Sequence, residues 1–311
     1  MSPTARYILN RVLIGILVVF CVSVAIFAIM QAMPGDPVDL MTSERVSAER
    51  VAQIKQNWGL DQPPVIQYFY WLGNVLRGDF GTSITTGQEV TTLILERLPY
   101  TLMLTGAAIV LEYVVSIPLG LYAAVHKDGA FDRVMNVLMV VLWSMPAFWL
   151  GVLLILLFAI NLGILPISGW SGPASLILPT LALALPNFAQ IFRLTRSEVL
   201  DVLDARYVKT ATAKGLLRNK VLIRHVLRNA LIPVTVTFFL SLPWLIGGAV
   251  VVENVFAWPG MGRLLWTAIS RQDFPIVQGI VFVISVLTVI CNLIGDVVSG
   301  LLDPRVRLAQ D

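Results

Sequence analysis

The sequence predicts an all-α polytopic membrane protein with six transmembrane helices and both termini in the cytoplasm. Three observations carry that prediction. Of the 311 residues 57% are hydrophobic and only 13% charged, with a mean hydropathy of +0.81, whereas a soluble domain is about 45–50% apolar and about 25% charged. The apolar residues gather in runs near the ~20 residues that cross a hydrocarbon core as helix. Between the fourth and fifth of these runs, residues 204–233 carry Arg206, Lys209, Lys214, Arg218, Lys220, Arg224, His225 and Arg228. Each Arg or Lys at a bilayer centre costs about 2.5–3.5 kcal/mol, so this stretch stays in water, and its positive charge puts it on the cytoplasmic side.

Arg6 and Arg11 precede an uncharged apolar run over residues 12–30. A signal-peptide core is about 7–15 residues, so the run reads as a retained first span, about 9–30, with the amino end inside. Residues 31–97 turn polar, opening on Pro34, Gly35, Asp36 and Pro37, and are expected to form an extracytoplasmic helical loop. Val51, Ile54 and Trp58 recur there at helical spacing, as do Tyr68, Trp71, Leu72, Val75 and Leu76, which predicts two short amphipathic helices. Two roles fit that loop: a packing cap on the bundle, or a docking surface for a partner. The second span, about 100–125, is interrupted by Glu112 and Pro118 and ends at a charged turn with His126, Lys127, Asp128, Asp132 and Arg133. The apolar run over 134–165 is too long for one straight crossing at ~1.5 Å per residue, and Pro146 divides it, so the third span, about 136–162, should bend.

A charge-free turn at 164–175 leads to the fourth span, about 174–193, broken by Pro179 and Pro186 and ending at Arg193 and Arg196. A cytoplasmic loop over 198–230 follows. The fifth span, about 231–252, contains Pro243, Gly247 and Gly248, expected to let backbones approach closely. Residues 253–275 then lie outside, and the sixth span, about 276–302, ends inside at Asp303, Arg305 and Arg307. Six crossings put the dense Lys and Arg clusters on one side, as the positive-inside rule requires. Nothing in the composition marks a second domain, so residues 1–311 read as one transmembrane domain.

An intramembrane hydrolase is not expected from the residues present. The chain holds no phosphate-binding loop, no H-E-x-x-H pair and no G-x-S-x-G elbow. Cys21 and Cys291 sit in apolar runs and suggest neither a disulfide framework nor a metal site. His126 and His225, the two histidines, fall in predicted cytoplasmic loops. The net charge of +3 is concentrated in those loops, so it marks membrane topology and not nucleic-acid binding. Within the 198–230 loop, Ala211 and Ala213 leave a helix slim enough to lie in a groove of another protein, and Gly215 can take the left-handed conformation that ends it. Val221, Leu222, Val226 and Leu227 then form one side of a second amphipathic helix, with Arg218, Lys220, Arg224 and Arg228 toward water or lipid phosphate. A plain positive-inside loop resting on lipid headgroups explains the same residues equally well.

The stretch Tyr207, Val208, Lys209, Thr210, Ala211, Thr212, Ala213, Lys214, Gly215 resembles the EAA-loop variant of permease subunits in ATP-binding-cassette importers of the dipeptide, oligopeptide and nickel branch. Lys209 departs from the Arg usual there, and stands where more distant importers carry the Glu of EAA. The resemblance extends through the chain: MPGDP at 33–37, GDFGTS at 78–83, SMPAF at 144–148, RLTRS at 193–197, HVLRNALIP at 225–233, ENVFAWPGMG at 253–262 and DPRVR at 303–307 match in order.

That resemblance implies a fold like the type I importer permeases and a place in the bacterial inner membrane. It implies as partners a second homologous permease subunit, two ATP-binding-cassette ATPase subunits and an extracytoplasmic substrate-binding protein, with ATP and Mg held by the ATPases and no cofactor in this chain. Tyr207, Lys209, Thr210, Ala211, Ala213, Lys214, Gly215 and Leu216 would form the coupling helix that docks in an ATPase cleft. Phe256, Trp258, Pro259, Gly260 and Gly262 would meet the binding protein at the outer mouth of the pathway; an interfacial aromatic belt is the other reading of that segment. Glu112 and Asp296, acids inside predicted spans, are pathway candidates. The expected cargo is a di- or oligopeptide, with nickel or a metal chelate as the alternative. An ion-coupled secondary transporter is the alternative of another class, separated by whether uptake needs ATP.

Overall fold

The computed structural model describes residues 3–32 and 62–302. Among these residues the elements are helices, and an isolated bridge between Thr82 and Glu89 is the one extended pairing. In chain order the α-helices are α1 (Pro3–Ala32), α2 (Pro64–Leu76), α3 (Val90–Val125), α4 (Ala130–Ser144), α5 (Ala147–Leu154), α6 (Ile177–Leu203), α7 (Arg206–Ala213), α8 (Arg218–Val221), α9 (Arg228–Val255), α10 (Met261–Ser270) and α11 (Phe274–Leu302). Among the described residues five helices are long and apolar enough to cross a membrane, and a sixth crossing results if the bent pair Ala130–Ser144 and Ala147–Asn161 is one span. The 104° bend of that pair falls at Pro146, whose ring excludes the preceding residue from helical geometry.

Several boundaries differ from the expectation. The second span begins at Val90, not near 100, and runs unbroken through Glu112 and Pro118 to Val125. Its 36 residues are about 54 Å long against a core of about 30 Å, so its polar first turns stand clear of the hydrocarbon. The helix of the fourth span continues through Pro186 to Leu203, past Arg193, Arg196 and Glu198. A proline removes one hydrogen bond from a long helix, and neighbouring helices compensate that loss. The second amphipathic helix expected after Gly215 is continuous with the fifth span: Arg218–Val221 passes through a wide π turn, Leu222–Leu227, directly into it. Of the two helices expected in the 31–97 loop, α2 is present; Val51, Ile54 and Trp58 lie outside the described residues, as do the MPGDP and DPRVR matches.

The chain divides into two compact units, one of residues 1–101 with 259–293, the other of residues 102–258 with 294–311. In the first, α2 seats on the first span through aromatic rings. Tyr68 lies edge-on to Phe27 at 5.5 Å, its hydroxyl 2.8 Å from Ser23 Oγ, and Trp71 stands edge-on to Phe282. Val90, Ile94, Met261, Ile276, Val277 and Ile280 form this unit's apolar core.

The second unit is built around α6, whose Leu178, Ala182, Leu183, Phe188, Ile191 and Phe192 are buried. The close backbone approach expected at Gly247 and Gly248 occurs instead at Gly120, where an added Cβ would stand 2.8 Å from the Phe192 carbonyl oxygen and 2.9 Å from Thr195 Cβ. Gly247 has open space, and Gly248 meets only the Leu183 side chain at 3.4 Å.

Candidate functional site

The basic stretch resolves into a short helix set on an apolar seat. After α6 ends, Ala205 takes extended geometry and α7 begins at Arg206. Its end is built by Gly215, whose φ of +77° lies in the left-handed region that glycine adopts without a Cβ clash. The Gly215 N–H donates to the Thr212 carbonyl at 3.0 Å and the Leu216 N–H to the Ala211 carbonyl at 3.4 Å. This pair of bonds is a Schellman termination, usually accompanied by an apolar contact between the residue after the glycine and the last helical turn. Leu216 packs in the cluster that holds Val208 and Ala211.

Which way the helix faces follows from its two buried residues. Val208 and Ala211 turn inward onto Ala124 at the end of α3, Val199 on α6, and Val221, Val226 and Ala230 at the root of the fifth span. Tyr207, Lys209, Thr210, Ala213, Lys214 and Gly215 are exposed. The candidate coupling residues are thus together on one helix and its turn, but Ala211 belongs to the seat, and the small exposed positions are Ala213 and Gly215. Lys209 Nζ lies 3.6 Å from Asp204 Oδ1, a solvated pair that contributes little. A cavity of about 670 Å³ runs beside the helix, lined by Val125, Leu203, Val208, Lys209, Thr212, Ala213, Leu216, Arg218, Val221 and Leu222.

One pair near this seat was not visible in the sequence. Arg196, one turn before Val199, holds Asp132 with two parallel bonds, Nε to Oδ1 at 2.6 Å and Nη2 to Oδ2 at 2.7 Å. Asp132 is 2% exposed, and also accepts from the Asp128 N–H and the Asn136 amide. Planar bidentate geometry of this kind is directional as well as strong, so it fixes α4 against α6. Residues 132 and 196 are 64 positions apart, and no local pattern links them; the sequence shows only an acid in one charged turn and a base in another.

The outer-mouth candidates are mostly interior. In the second unit Phe256 and Trp258 are 2% and 0% exposed. The Gly169 N–H donates to the Phe256 carbonyl at 2.8 Å, and Trp170 stands edge-on to Trp258 at 5.4 Å, so this segment anchors the turn over 164–175. Ala257 between them has a φ of +47°, a tight turn closed by the Trp258 N–H on the Glu253 carbonyl. In the first unit Gly260 and Gly262 are buried beside Pro259, and the Met261 N–H donates to Thr101 Oγ1 at 2.8 Å. Glu112 is 2% exposed inside the second unit, with Oε2 lacking a hydrogen-bond partner, as are Ser116 Oγ and Thr195 Oγ1. Asp296 is half-buried on α11.

Comparison with known proteins covers nearly the whole chain. Residues 116–308 match the model of the binding-protein-dependent transport system inner membrane component, and residues 4–105 match the amino-terminal model of such membrane components. An oligopeptide transport system permease protein AppB of Bacillus subtilis is 39% identical, with 97% of this chain and 99% of that protein covered. A probable peptide ABC transporter permease protein of Sinorhizobium fredii is 38% identical, over 97% and 99%. A glutathione transport system permease protein GsiC of Salmonella choleraesuis is 38% identical, over 97% and 99%. Among solved structures, an inward-facing MetNI methionine ABC transporter matches with a TM-score of 0.55 at 17% identity, covering 68% of this chain and 96% of its own, a likeness of fold.

Proposed function

This chain belongs to the family of binding-protein-dependent transport system inner membrane components, and from that membership we propose that it forms half of the pathway by which an ATP-driven importer takes up di- and oligopeptides. Membership makes it a multi-pass permease subunit of the bacterial inner membrane that works with an ATPase and a substrate-binding protein. The finer reading is a complex with a second homologous permease and two ATPase subunits, fed from outside by the binding protein. ATP and Mg belong to the ATPases. Relatives named for oligopeptide, peptide and glutathione transport support a peptide cargo, since glutathione is itself a small peptide. The nickel and metal-chelate alternative draws no support from these names.

The observation that carries the mechanism is the two-sided form of α7. Its exposed face offers Tyr207, Lys209, Thr210, Ala213 and Lys214 to a partner, while Val208 and Ala211 rest on the ends of three membrane helices. Packed interiors move between discrete arrangements and do not deform smoothly. A push on the outer face is therefore delivered to α3, α6 and α9 together. Gly215 fixes where the helix stops, and the Asp132–Arg196 pair stiffens the frame that receives the push. Phe256 and Trp258 act from inside, holding the turn over 164–175, and Pro259, Gly260 and Gly262 lead the chain into α10. Glu112, buried with an unpartnered oxygen, is the stronger of the two pathway candidates and Asp296 the weaker.

The test is purification in mild detergent followed by reconstitution. An ATPase and a second permease should come with this chain, and the vesicles should accumulate a labelled oligopeptide only with ATP and binding protein. Uptake that persists without ATP and follows an ion gradient would instead establish the secondary-transporter alternative.

A further inference from the structure

Asp273 joins two stretches of chain 190 positions apart, one in each of the two matched family regions. It stands between α10 and α11 and is wholly buried. Its N–H donates to the Ala268 carbonyl at 2.8 Å and its carbonyl accepts from the Val277 N–H at 3.1 Å, so its backbone ends one helix and starts the next. Gln272 before it has a φ of +55°, a conformation uncommon for a residue with a side chain. An Asp in this place ordinarily caps its own helix by accepting from the first turn. This carboxylate is directed elsewhere. Oδ2 accepts from Ser83 Oγ at 2.6 Å, the Thr85 N–H at 3.0 Å and Thr85 Oγ1 at 2.7 Å, and Oδ1 accepts from the Ile84 N–H at 3.2 Å.

The turn that supplies these donors is closed on itself. The Ser83 N–H donates to the Gln88 carbonyl at 2.8 Å, the Gly87 N–H to the Ser83 carbonyl at 2.9 Å, and the Thr86 N–H to Ser83 Oγ at 3.0 Å. Its outward residues Thr85, Thr86, Gln88 and Glu89 are exposed, as are Arg271 and Gln272 beside Asp273. A buried carboxylate is costly unless its oxygens are hydrogen-bonded, and here they are, by hydroxyls and backbone. The apolar core of Val90, Ile94, Met261, Ile276 and Val277 already packs the same elements. What the carboxylate adds to that packing is a fixed spacing between two exposed segments.

We propose that Asp273 is a positioning residue for transport: it clamps the turn over 82–89 to the end of α10 as one rigid rim, through which docking of the substrate-binding protein raises ATP hydrolysis. This inference rests on the importer reading above. The experiment uses the complete complex in lipid nanodiscs, with binding protein titrated in and ATP hydrolysis followed. Asp273→Asn replaces one acceptor oxygen by a donor, and should raise the binding-protein concentration for half-maximal stimulation by about tenfold or more, with basal hydrolysis within about twofold of wild type. Ser83→Ala with Thr85→Val should shift it in the same direction, adding Asp273→Asn to that pair should add less than its effect alone because only the Ile84 and Thr85 N–H bonds are left to lose, and Thr85→Ser should behave as wild type. Unchanged stimulation in Asp273→Asn, parallel loss of basal and stimulated rates, or additive losses would each overturn the clamp. Should Asp273→Asn fail to assemble, Thr85→Val on the exposed side decides by the same readings. A wild-type complex that lacks an ATPase, or that binding protein does not stimulate, overturns the importer reading itself.

Discussion

Placing a charge under the coupling helix, by Ala211→Asp, separates its seat from its docking face. Ala211 is 8% exposed and packs with Val208, 4% exposed, against Ala124, Val199, Val226 and Ala230. An unpaired carboxylate there costs several kcal/mol, more than the helix gains by staying down. The cost is therefore capped by undocking, which exposes Val208 at about 1.5–3 kcal/mol and the Ala211 methyl at about 0.8 kcal/mol. In the native chain that sum of about 2–4 kcal/mol keeps the seated helix about 30- to 1,000-fold more populated than the lifted one, and the larger cost of the buried carboxylate reverses the preference. Tyr207, Lys209, Thr210 and Lys214 remain on the outer face, so the ATPase should still copurify. The assay is peptide uptake and ATP hydrolysis in the same proteoliposomes: uptake should fall by about tenfold or more while basal hydrolysis stays within about twofold. Uptake within about twofold of wild type, with Ala211→Asp present at normal levels, would refute the seat as the route by which force reaches the membrane helices.

Gly215→Trp should abolish uptake, because a left-handed residue with a bulky side chain costs about 1–2 kcal/mol and moves the helix end, whereas Gly215→Asn should retain most of it; peptide uptake checks both. Arg196→Met leaves Asp132 buried without its partner and should cost about 3–5 kcal/mol, read as a lower melting temperature of the detergent-solubilised protein, and Arg196→Lys should rescue it only in part because it loses the fork. Gly120→Leu drives a side chain into the Phe192 carbonyl and should destabilise by about 1–3 kcal/mol in the same melt, while Gly247→Leu, facing open space, should be near neutral.

Composition and run length made the helical membrane class legible, because the cost of a charge in hydrocarbon acts on every residue separately. The break at Pro146 and the left-handed end at Gly215 were legible for a similar reason: each is a property of one residue's backbone. Helix ends were read less well. Val90–Val125 and Ile177–Leu203 overrun their apolar stretches, since a helix that leaves the bilayer keeps its own hydrogen bonds and needs no apolar side chains. Facing was the hardest to read. Ala211 and Ala213 look alike in the motif, yet one is in the seat and the other in solvent, and that depends on Val199 and Ala230, which no local pattern ties to them. Pairs such as Asp132 with Arg196 and Asp273 with Ser83 stayed hidden because each spans a long stretch of chain.

The most direct measurement is a photo-cross-link from Tyr207, which is 47% exposed on the outer face of α7. A photoreactive phenylalanine at that position, illuminated in intact inner-membrane vesicles, should yield one discrete adduct with the ATPase subunit. Adducts confined to lipid, or formed with a protein of the outer side, would contradict the placement of this helix and the coupling role built on it.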